Sequence, residues 1–382
     1  VTDHVIWVGA NDRRLNLFEN LFPIPRGVSY NAYLIKDEKN ALMDTVDASA
    51  SEQFIENVAY ALNGGKLDYL VVQHMEPDHC ANIQRILELY PETKVVGNVK
   101  TMQMISQFFD ADLEGRQVVV KEGDTLELGN HTLHFVMAPM VHWPEVMVEY
   151  EETEKILFSA DGFGKFGALS AEEEWTDEAR RYFINIVGKY GVQVQTLLKK
   201  AAALDIQTIC PLHGPILKDN LGFYIGKYLT WSSYEPEEDG VLVACASIHG
   251  NTKAAAEKMV EVLRANGASK VVFMDLTRDD MAEAVADAFR YGKIILAAAS
   301  YDAGVFPPME DFLHRLAHKN LQKRTFGLIE NGSWAPCAAR GMKGILEGLK
   351  EVNVCENVVS IKSTMKDTDV AKMEELAKEI LA

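Results

Sequence analysis

Short apolar runs alternate with amphipathic segments along the last third of the chain. The runs have the length of buried strands and lie at Val241–Ala246, Lys270–Asp275, Lys293–Ala299, Thr325–Ile329 and Val354–Ile361. Helical spacing is found between them, at Thr252–Ala265, Met309–Leu316 and Met342–Leu349. Strands that alternate with helices in this way predict a doubly wound parallel sheet.

The first part of the chain has a more mixed pattern. Strand-like runs, several with the alternation of antiparallel sheets, occur at Ala32–Ile35, Tyr69–Gln73, Val118–Lys121, Thr132–Met137, Glu145–Tyr150 and Ile156–Ser159. Helical segments are interspersed at Glu52–Asn63, Glu173–Val187 and Val192–Leu204. This pattern predicts sheets covered by helices. A polar stretch with Pro and Gly, Tyr234–Gly240, suits an exposed linker, so we expect domains at residues 1–236 and 240–382.

The charge is distributed unevenly between these two parts. The net charge of −18 comes from 38 basic and 56 acidic residues. From Gly240 to the end there are 18 basic and 19 acidic residues, and the remainder has 20 and 37. Such an acidic balance argues against nucleic acid as a partner. No window approaches the roughly 20 unbroken apolar residues that a membrane span needs, so we expect no membrane partner either.

The five cysteines are scattered and form no Cys-x-x-Cys pair; they are Cys80, Cys210, Cys245, Cys337 and Cys355. This pattern excludes a disulfide framework, a rubredoxin-type iron site and a zinc ribbon. The first residues lack the basic start and apolar stretch of a signal peptide. We therefore expect a reduced, cytoplasmic protein.

A cluster of potential metal ligands follows the apolar run that ends at Gln73. His74, Glu76, Asp78 and His79 place four donors within six positions. A loop at the end of a strand can aim several side chains at one point. A single cation rarely needs so many donors, whereas two metals bridged by a carboxylate use all of them. The cluster therefore predicts a metal site.

Three later residues share one local pattern, in which a strand is followed by a potential ligand and then by Gly or Pro. They are His142, Asp161 and His213. A histidine or aspartate alone in such a loop is usually an exposed residue or a cap. Together with the cluster they are candidates for the rest of a ligand shell. We interpret His131 and His134, which lie on an alternating strand, as structural.

Three loops in the second part predict a ligand site at one edge of the parallel sheet. The first has hydroxyls, a glycine and free backbone amides at a helix start, as a phosphate cradle requires, although an ordinary capped helix is the alternative. Its residues are Ser247, Ile248, His249, Gly250, Asn251 and Thr252. The other loops follow the third and fourth strands, where open sheets bind ligands. They comprise Ser300, Tyr301, Asp302, Ala303 and Gly304, and Asn331, Gly332, Ser333, Trp334 and Ala335.

The order His-x-Glu-x-Asp-His followed by His, Asp and His resembles the metallo-β-lactamase-like domain of flavodiiron proteins. In that family two irons are the catalytic centre. The resemblance implies one iron on His74, Glu76 and His142, the other on Asp78, His79 and His213, and Asp161 as the bridge. In the zinc hydrolases of the superfamily the second position is normally His. The carboxylate of Glu76 hardens the site and favours iron over zinc.

The three loops of the second part resemble the FMN-binding loops of flavodoxins. The resemblance therefore implies a mixed α/β and α+β chain: an N-terminal metallo-β-lactamase-like αββα sandwich and a C-terminal flavodoxin-like doubly wound parallel sheet that binds FMN. Commoner flavodiiron sequences have a Thr-x-Asn-Asn-Gly-like second loop and a Gly-Trp-rich third loop. Here Asp302-Ala303 and Ala335-Pro336 occur instead. A carboxylate at Asp302 disfavours an anionic reduced flavin, so we expect an altered redox potential.

Over the whole chain the resemblance implies an oxidoreductase of the two-domain class that reduces O2 to water, NO to N2O, or both. Electrons come from an external donor, rubredoxin or a reduced deazaflavin coenzyme, because no rubredoxin or flavin-reductase module is expected after Ala382. The family forms head-to-tail homodimers, or dimers of dimers, that place one subunit's FMN against the other's irons. We expect an acidic donor to approach over the near-neutral flavin domain.

Two other functions are compatible with parts of this pattern. A zinc-dependent hydrolase fused to a flavodoxin-like module would use the same metal-binding domain, but Glu76 argues against it. A pure electron carrier would leave the shell of metal ligands without a purpose.

Overall fold

The computed structural model describes residues 1–382, which divide into two compact units. The first comprises Val1–Phe183 and Val192–Leu229, and the second comprises Ile184–Gly191 and Thr230–Ala382. The division therefore comes a few residues before the predicted linker, and the last three residues of that linker are not a loop, because a strand begins at Glu238. No helix has both the length and the apolar character needed to cross a membrane.

The strands of the first unit are short. They are β1 (Val5–Trp7), β2 (Ala10–Asp12), β3 (Leu17–Phe18), β4 (Phe22–Pro23), β5 (Val28–Tyr30), β6 (Tyr33–Ile35), β7 (Ala41–Met43), β8 (Tyr69–Val71), β9 (Lys94–Gly97), β10 (Gln117–Val119), β11 (Thr125–Glu127), β12 (Thr132–Met137), β13 (Met147–Glu151), β14 (Ile156–Phe158) and β15 (Thr208–Cys210). The helices along this part of the chain are α1 (Ser51–Leu62), α2 (Pro77–Cys80), α3 (Ile83–Leu89), α4 (Val99–Phe108), α5 (Trp175–Tyr182), α6 (Gly191–Ala201) and α7 (Leu221–Ser232). The helix predicted at Glu173–Val187 is thus divided: α5 ends at Tyr182 and a π-helical turn, Phe183–Val187, follows.

Two sheets form the framework of the first unit. One has the order β1-β6-β7-β8-β9-β10 and the other β11-β12-β13-β14-β15. Their facing side chains pack into one buried core, in which Tyr33 and Val71 of the first sheet meet Phe135 and Phe158 of the second. Side chains alternate along a strand, so one face of each sheet is available for this core and the other for helices. The predicted αββα sandwich is confirmed.

The second unit contains the parallel sheet. Its elements in chain order are β16 (Glu238–Ala246), α8 (Asn251–Ala265), β17 (Val271–Asp275), α9 (Met281–Arg290), β18 (Tyr291–Tyr301), β19 (Gly304–Val305), α10 (Pro307–His318), β20 (Gln322–Asn331), α11 (Ala338–Leu346), β21 (Lys350–Ile361) and α12 (Asp367–Leu381). The strand order is β17-β16-β18-β20-β21, and every pair in it is parallel. This is the flavodoxin-like order, whose ligand crevice lies at the carboxyl ends of the strands. The predicted doubly wound sheet is confirmed.

Asp275, at the carboxyl end of β17, allows a test of pH-dependent stability in the second unit. Burial raises the pKa of this carboxyl, but hydrogen bonds from Thr277 and Lys253 outweigh burial and hold the pKa below its usual value. Thr277 Oγ1 donates to Asp275 Oδ1 at 2.7 Å, and Lys253 Nζ donates to Oδ2 at 3.0 Å. A carboxyl with a depressed folded pKa stabilises the protein above its unfolded pKa, and that contribution is lost as the pH falls through the folded pKa.

We therefore expect Asp275→Asn to lower the free energy of unfolding by about 1–2 kcal/mol at neutral pH, and by progressively less below about pH 4. Urea unfolding of the wild type and of Asp275→Asn across this pH range measures the difference in the free energy of unfolding. Asp311→Asn is the control, because Asp311 is half-exposed and pairs only with the surface residue Arg315. An equal loss of stability at every pH would contradict the role of the charge.

Candidate metal centre and ligand cavity

The loop after β8 is held in place by two buried carboxylates. Asp44 Oδ1 accepts a hydrogen bond from the backbone N–H of Gln73 at 2.9 Å, and Glu145 Oε1 accepts one from that of Met75 at 2.8 Å. Pro77 then occupies the first turn of α2, a position that its fixed φ and missing N–H suit. The chain therefore turns abruptly between Glu76 and the next two potential ligands.

The other potential ligands lie on loops at the same side of the sandwich framework. β14 and β15 are parallel neighbours, so their carboxyl ends meet at one sheet edge. Asp161 follows the first of these strands and His213 the second. His142 lies in the connection between β12 and β13. Tertiary pairing thus brings together residues that are far apart in sequence.

The first group of donors surrounds one oxygen of Asp161. His142 Nε2 lies 3.1 Å from Asp161 Oδ2 and 3.1 Å from Glu76 Oε2. His74 Nε2 lies 3.4 Å from Asp161 Oδ2 and 3.3 Å from Glu76 Oε2. Neighbouring ligand atoms around one cation are separated by about 3.0–3.4 Å when the bonds are about 2.1 Å long. The group therefore has the dimensions of a site for one metal ion.

The second group surrounds the other oxygen of the same carboxylate. His79 Nε2 lies 3.3 Å from Asp161 Oδ1, and His213 Nε2 lies 3.7 Å from it. Asp78 Oδ2 is 3.4 Å from His79 Nε2 and 3.3 Å from His213 Nε2. Asp161 thus directs one oxygen to each group, which is the arrangement of a carboxylate that bridges two cations.

Outer hydrogen bonds orient two of the imidazoles. His213 Nδ1 donates to the backbone oxygen of Ser29 at 2.7 Å, and His74 Nδ1 lies 2.8 Å from Glu145 Oε1. A ring that donates through Nδ1 presents an unprotonated Nε2 when it is neutral. Both Nε2 lone pairs therefore face the centre. His79 Nε2 is only 3.0 Å from His213 Nε2, and Asp78 Oδ1 is buried without a hydrogen-bond partner, so the residues fit a bound cation pair.

Opposite charges inside the centre raise the pKa of His142 and lower the pKa of Asp161. Burial alone would lower the pKa of His142, but Asp161 and Glu76 outweigh burial and raise that pKa to about 9. Burial alone would raise the pKa of Asp161, but His142 and His79 hold it well below its usual value. Metal ions bind the neutral imidazole, so metal uptake at neutral pH must displace a proton from His142.

The second unit has a cavity of about 700 Å³ at the carboxyl edge of its parallel sheet. All three predicted loops line it, through Ser247, Ile248, His249, Asn251 and Thr252, through Ser300, Tyr301, Asp302 and Ala303, and through Asn331, Gly332, Ser333, Trp334 and Ala335. Two predicted residues, Gly250 and Gly304, do not line the cavity. The sequence analysis missed four residues that do, Ala299, Cys337, Arg340 and Ser363.

The first loop has the geometry of an anion cradle. Gly250 is the N-cap of α8 and has a φ of 95°, which a residue without a Cβ adopts at little cost. Its N–H donates to Ser247 Oγ at 3.0 Å, which closes the loop over the start of the helix. The first backbone N–H groups of α8 have no partner within the helix, and together with the helix dipole they favour a phosphate group.

The second and third loops supply flat apolar surfaces at the rim of the cavity. Asp302 and Ala303 have φ values of 47° and 60°, so they form a two-residue hairpin turn between Tyr301 and Gly304. Trp334 is 90% exposed and Tyr301 is 44% exposed. Aromatic rings left this open at a cavity rim are available to pack against a planar ligand, and a flavin has that shape.

Known proteins match this chain over both of its compact units. A family profile described as "ODP family beta lactamase" matches residues 28–214, which include all the donors of the metal centre. The rubredoxin oxygen:oxidoreductase of Desulfovibrio gigas is 27% identical with a TM-score of 0.93, and the match covers 100% of this chain and 96% of that one. The nitric oxide reductase of Moorella thermoacetica is 28% identical over 395 residues, covering 100% of this chain and 98% of its own.

A further structure, the flavodiiron protein of Giardia intestinalis, has the same fold, with a TM-score of 0.91 at 22% identity and coverage of 100% and 96%. These matches extend over both units, whereas a metallo-β-lactamase alone would match only the first. The chain thus resembles flavodiiron proteins over both of its units.

The structure brings all the predicted metal ligands together and divides them into the two predicted groups. The sequence analysis missed Glu145, which it placed at the start of a strand without a role. Glu145 is fully buried and contacts both His74 and Met75. The available signal was a carboxylate at the start of a strand-like run, because a charge that such a strand buries requires a partner.

Glu145→Gln tests this outer contact. The neutral amide accepts a weaker hydrogen bond from His74 Nδ1 and makes the ring a poorer metal ligand. We expect the affinity of the protein for iron to fall by about 10–100-fold. Competition with a chelator measures this iron affinity. Glu152→Gln is a matched control, because Glu152 also pairs with a histidine, His134, but at the surface. Similar losses in the two variants would contradict a specific role for Glu145.

Proposed function

We propose that this protein reduces O2 to water, NO to N2O, or both, at a pair of irons held by the metal centre. In this proposal the electrons reach the irons through FMN in the cavity of the second unit, and the FMN is reduced by an external donor such as rubredoxin. The observation that carries the proposal is the position of Asp161, whose two carboxylate oxygens face two separate groups of donors.

The donor set supports iron. Four imidazoles and three carboxylates surround the centre, and Glu76 occupies a position within hydrogen-bonding distance of both His74 and His142. This mixture of nitrogen and hard oxygen ligands suits ferrous iron, while the thiolates that zinc and copper favour are absent from both groups. When bound, the irons supply the electrons and the binding sites that a diatomic gas needs.

Groups of this chain would space, orient and shield the metal ligands. Asp161 fixes the separation of the two groups, because a single rigid carboxylate reaches both. Glu145 and the backbone of Ser29 hold two imidazoles with Nε2 directed inward. The nearly complete burial of His74, His79 and His213 keeps bulk water away. His142 is slightly exposed and binds a metal only after its proton leaves.

The second unit supports FMN binding through its three loops. The first loop offers backbone N–H groups and the Ser247 hydroxyl to a phosphate. Asn331 pairs with the backbone of Ser363, since its Nδ2 donates to Ser363 O at 2.9 Å and its Oδ1 accepts from Ser363 N at 3.0 Å. This contact holds the third loop in place at the cavity wall. When bound, FMN supplies the one-electron and two-electron steps that link a donor to the irons.

The names of related proteins support the same activities. One relative is a nitric oxide reductase and another is a rubredoxin oxygen:oxidoreductase, and each matches essentially the whole chain. The alternative, a zinc-dependent hydrolase fused to a flavodoxin-like module, is disfavoured by Glu76 and by these relatives. Two bound zinc ions together with ester hydrolysis would support it.

We also propose that the chain acts as a head-to-tail homodimer, or a dimer of dimers, in which the FMN of one subunit reduces the irons of the other. This follows from the family resemblance. The five cysteines carry free thiols, which fits the proposed location in the reducing cytoplasm.

The test of the proposed activity is turnover of the reconstituted enzyme. Protein loaded with iron and FMN without oxygen receives one reduced donor, and the consumption of O2 and NO is measured in the same preparation. We expect at least one gas to be consumed catalytically, and a large excess of one rate identifies the physiological gas. If the donor reduces the FMN but neither gas is consumed, the proposed function is wrong.

A further inference from the structure

A second group of potential ligands lies in the first unit and shares no residue with the dinuclear centre. It consists of His4, His131 and Glu154. His4 immediately precedes β1, His131 immediately precedes β12, and Glu154 lies in the turn between β13 and β14. Three segments that are distant in sequence thus meet at one point.

His131 has an unused ligand atom. The residue is 2% exposed, and its Nδ1 lies 2.7 Å from Asp37 Oδ2, which also accepts the backbone N–H of His131 at 2.7 Å. The other ring nitrogen, Nε2, is buried and has no hydrogen-bond partner. A carboxylate that accepts from Nδ1 leaves a lone pair on Nε2 of the neutral ring, and metal-binding histidines are commonly oriented in this way. A purely structural role explains the Asp37 contact but not the bare Nε2.

The other two donors lie close to the His131 ring. The ring centroids of His4 and His131 are 5.1 Å apart, and His4 Nδ1 is 3.1 Å from Glu154 Oε1. Glu154 is itself oriented, because Thr2 Oγ1 donates to its Oε2 at 2.6 Å. One ligand atom from each of the three residues lies within 4.8 Å of the others.

We propose that His4, His131 and Glu154 bind one divalent transition-metal ion of the zinc type. Two imidazole nitrogens and one carboxylate oxygen are a common ligand set for zinc, and water completes the tetrahedron. Tetrahedral ligand atoms lie about 3.4 Å apart. His4 Nδ1 and Glu154 Oε1 are already 3.1 Å apart, so only the longer separations, which reach up to 4.8 Å, must contract, by at most about 1.4 Å. The exposed side chain of His4 has the freedom to make that movement, whereas Asp37 fixes His131.

The bound ion would join the N-terminal residues to the second sheet. His4 lies at the start of the first sheet's edge strand β1, while the other two ligands flank strands of the second sheet. A metal ion there adds a link between segments that already meet through side-chain contacts. The site is therefore structural, and gas reduction does not depend on it.

The test is cobalt binding to untagged enzyme that already contains its iron and FMN. Co²⁺ replaces zinc in tetrahedral sites and gives visible absorption bands. We expect the wild type to take up one Co²⁺ per chain without losing iron, and Zn²⁺ to abolish the bands. In His4→Gln and in Glu154→Gln the affinity is expected to fall at least tenfold, with gas turnover unchanged. Asp37→Asn, which weakens the contact that orients the His131 ring, is expected to weaken binding by about 10–100-fold.

His134→Gln is the matched control, because His134 lies on β12, the strand that His131 immediately precedes, and pairs with the surface carboxylate of Glu152. It should leave Co²⁺ binding unchanged. Equal Co²⁺ uptake by the wild type, His4→Gln and Glu154→Gln would overturn the proposal. It would also be overturned if iron left the enzyme in proportion to the cobalt bound, since the cobalt would then occupy the dinuclear centre. Both variants alter residues at the surface, so neither result depends on a folding defect.

Discussion

Replacing Asp161 by Asn is expected to lower gas reduction by more than about 100-fold while FMN stays bound. The two oxygens of this carboxylate face His142 Nε2 at 3.1 Å and His79 Nε2 at 3.3 Å. An amide has one oxygen, no negative charge and an NH2 group that repels a cation. The variant therefore loses the bridge as well as one ligand of each proposed iron. Iron content, flavin absorbance and turnover measure the three quantities separately.

The matched control is Asp205→Asn, which removes a surface carboxylate of the same unit that pairs with Lys155. Its activity and iron content should equal those of the wild type. Full activity in Asp161→Asn would eliminate the proposed dinuclear centre. Loss of FMN together with iron would instead show that the substitution disturbs more than the centre.

The second large effect is expected from Ser247→Asp in the first cavity loop. Ser247 Oγ accepts the N–H of Gly250 at 3.0 Å, and an aspartate oxygen can accept the same hydrogen bond. The loop should therefore keep its shape but gain a negative charge where the phosphate binds. Placing like charges together costs several kcal/mol, so we expect FMN affinity to fall by at least about 100-fold. Donor-dependent gas reduction should fall with it, whereas iron content should not change.

Ser247→Asn is the control for this experiment, because it keeps the acceptor without the charge. We expect it to lower FMN affinity by less than about tenfold. Fluorescence titration of the flavin-free protein with FMN measures both variants. If Asn and Asp weaken binding equally, the loop binds FMN through its shape alone and the phosphate lies elsewhere.

These two variants together test the proposed dimer. Asp161→Asn retains a working flavin site, and Ser247→Asp retains a working metal centre. In a head-to-tail dimer a mixed pair contains one intact FMN facing one intact metal centre. Random reassociation of equal amounts should then restore about one quarter of the wild-type activity. No restoration, with subunit exchange demonstrated separately, would contradict electron transfer between subunits.

Much of the fold followed from local patterns in the sequence. The five strands of the parallel sheet lie where apolar runs predicted them, since a strand buried on both faces is apolar at nearly every position. The order of those strands was inferred only through the family resemblance, because an apolar run does not specify its neighbours. The helix predicted at Glu173–Val187 changes to a π-helical turn after Tyr182, where helical periodicity alone indicated no break.

The candidate site was predictable to the extent that its residues cluster or follow a common pattern. His74 to His79 is recognisable by density alone, because several buried polar side chains in one short loop need a common partner. Glu145 was not recognised, because its role depends on contacts with His74 and Met75, seventy or more residues earlier. The same is true of Arg340 and Ser363, which reach the second-unit cavity from outside the three predicted loops.

The sequence by itself determined which side chains this protein can offer to a metal ion or a phosphate, and on which loops they lie. Those properties depend on residues that are close together in the sequence, because strand and helix periodicity and turn formation are set by neighbouring residues. Only the tertiary structure decided that Asp161 directs one oxygen to each group of donors, that Glu145 and Ser29 orient two of the imidazoles, and that His131 meets His4 and Glu154. Those relations depend on strand pairing between distant segments, which sets distances that no local pattern contains.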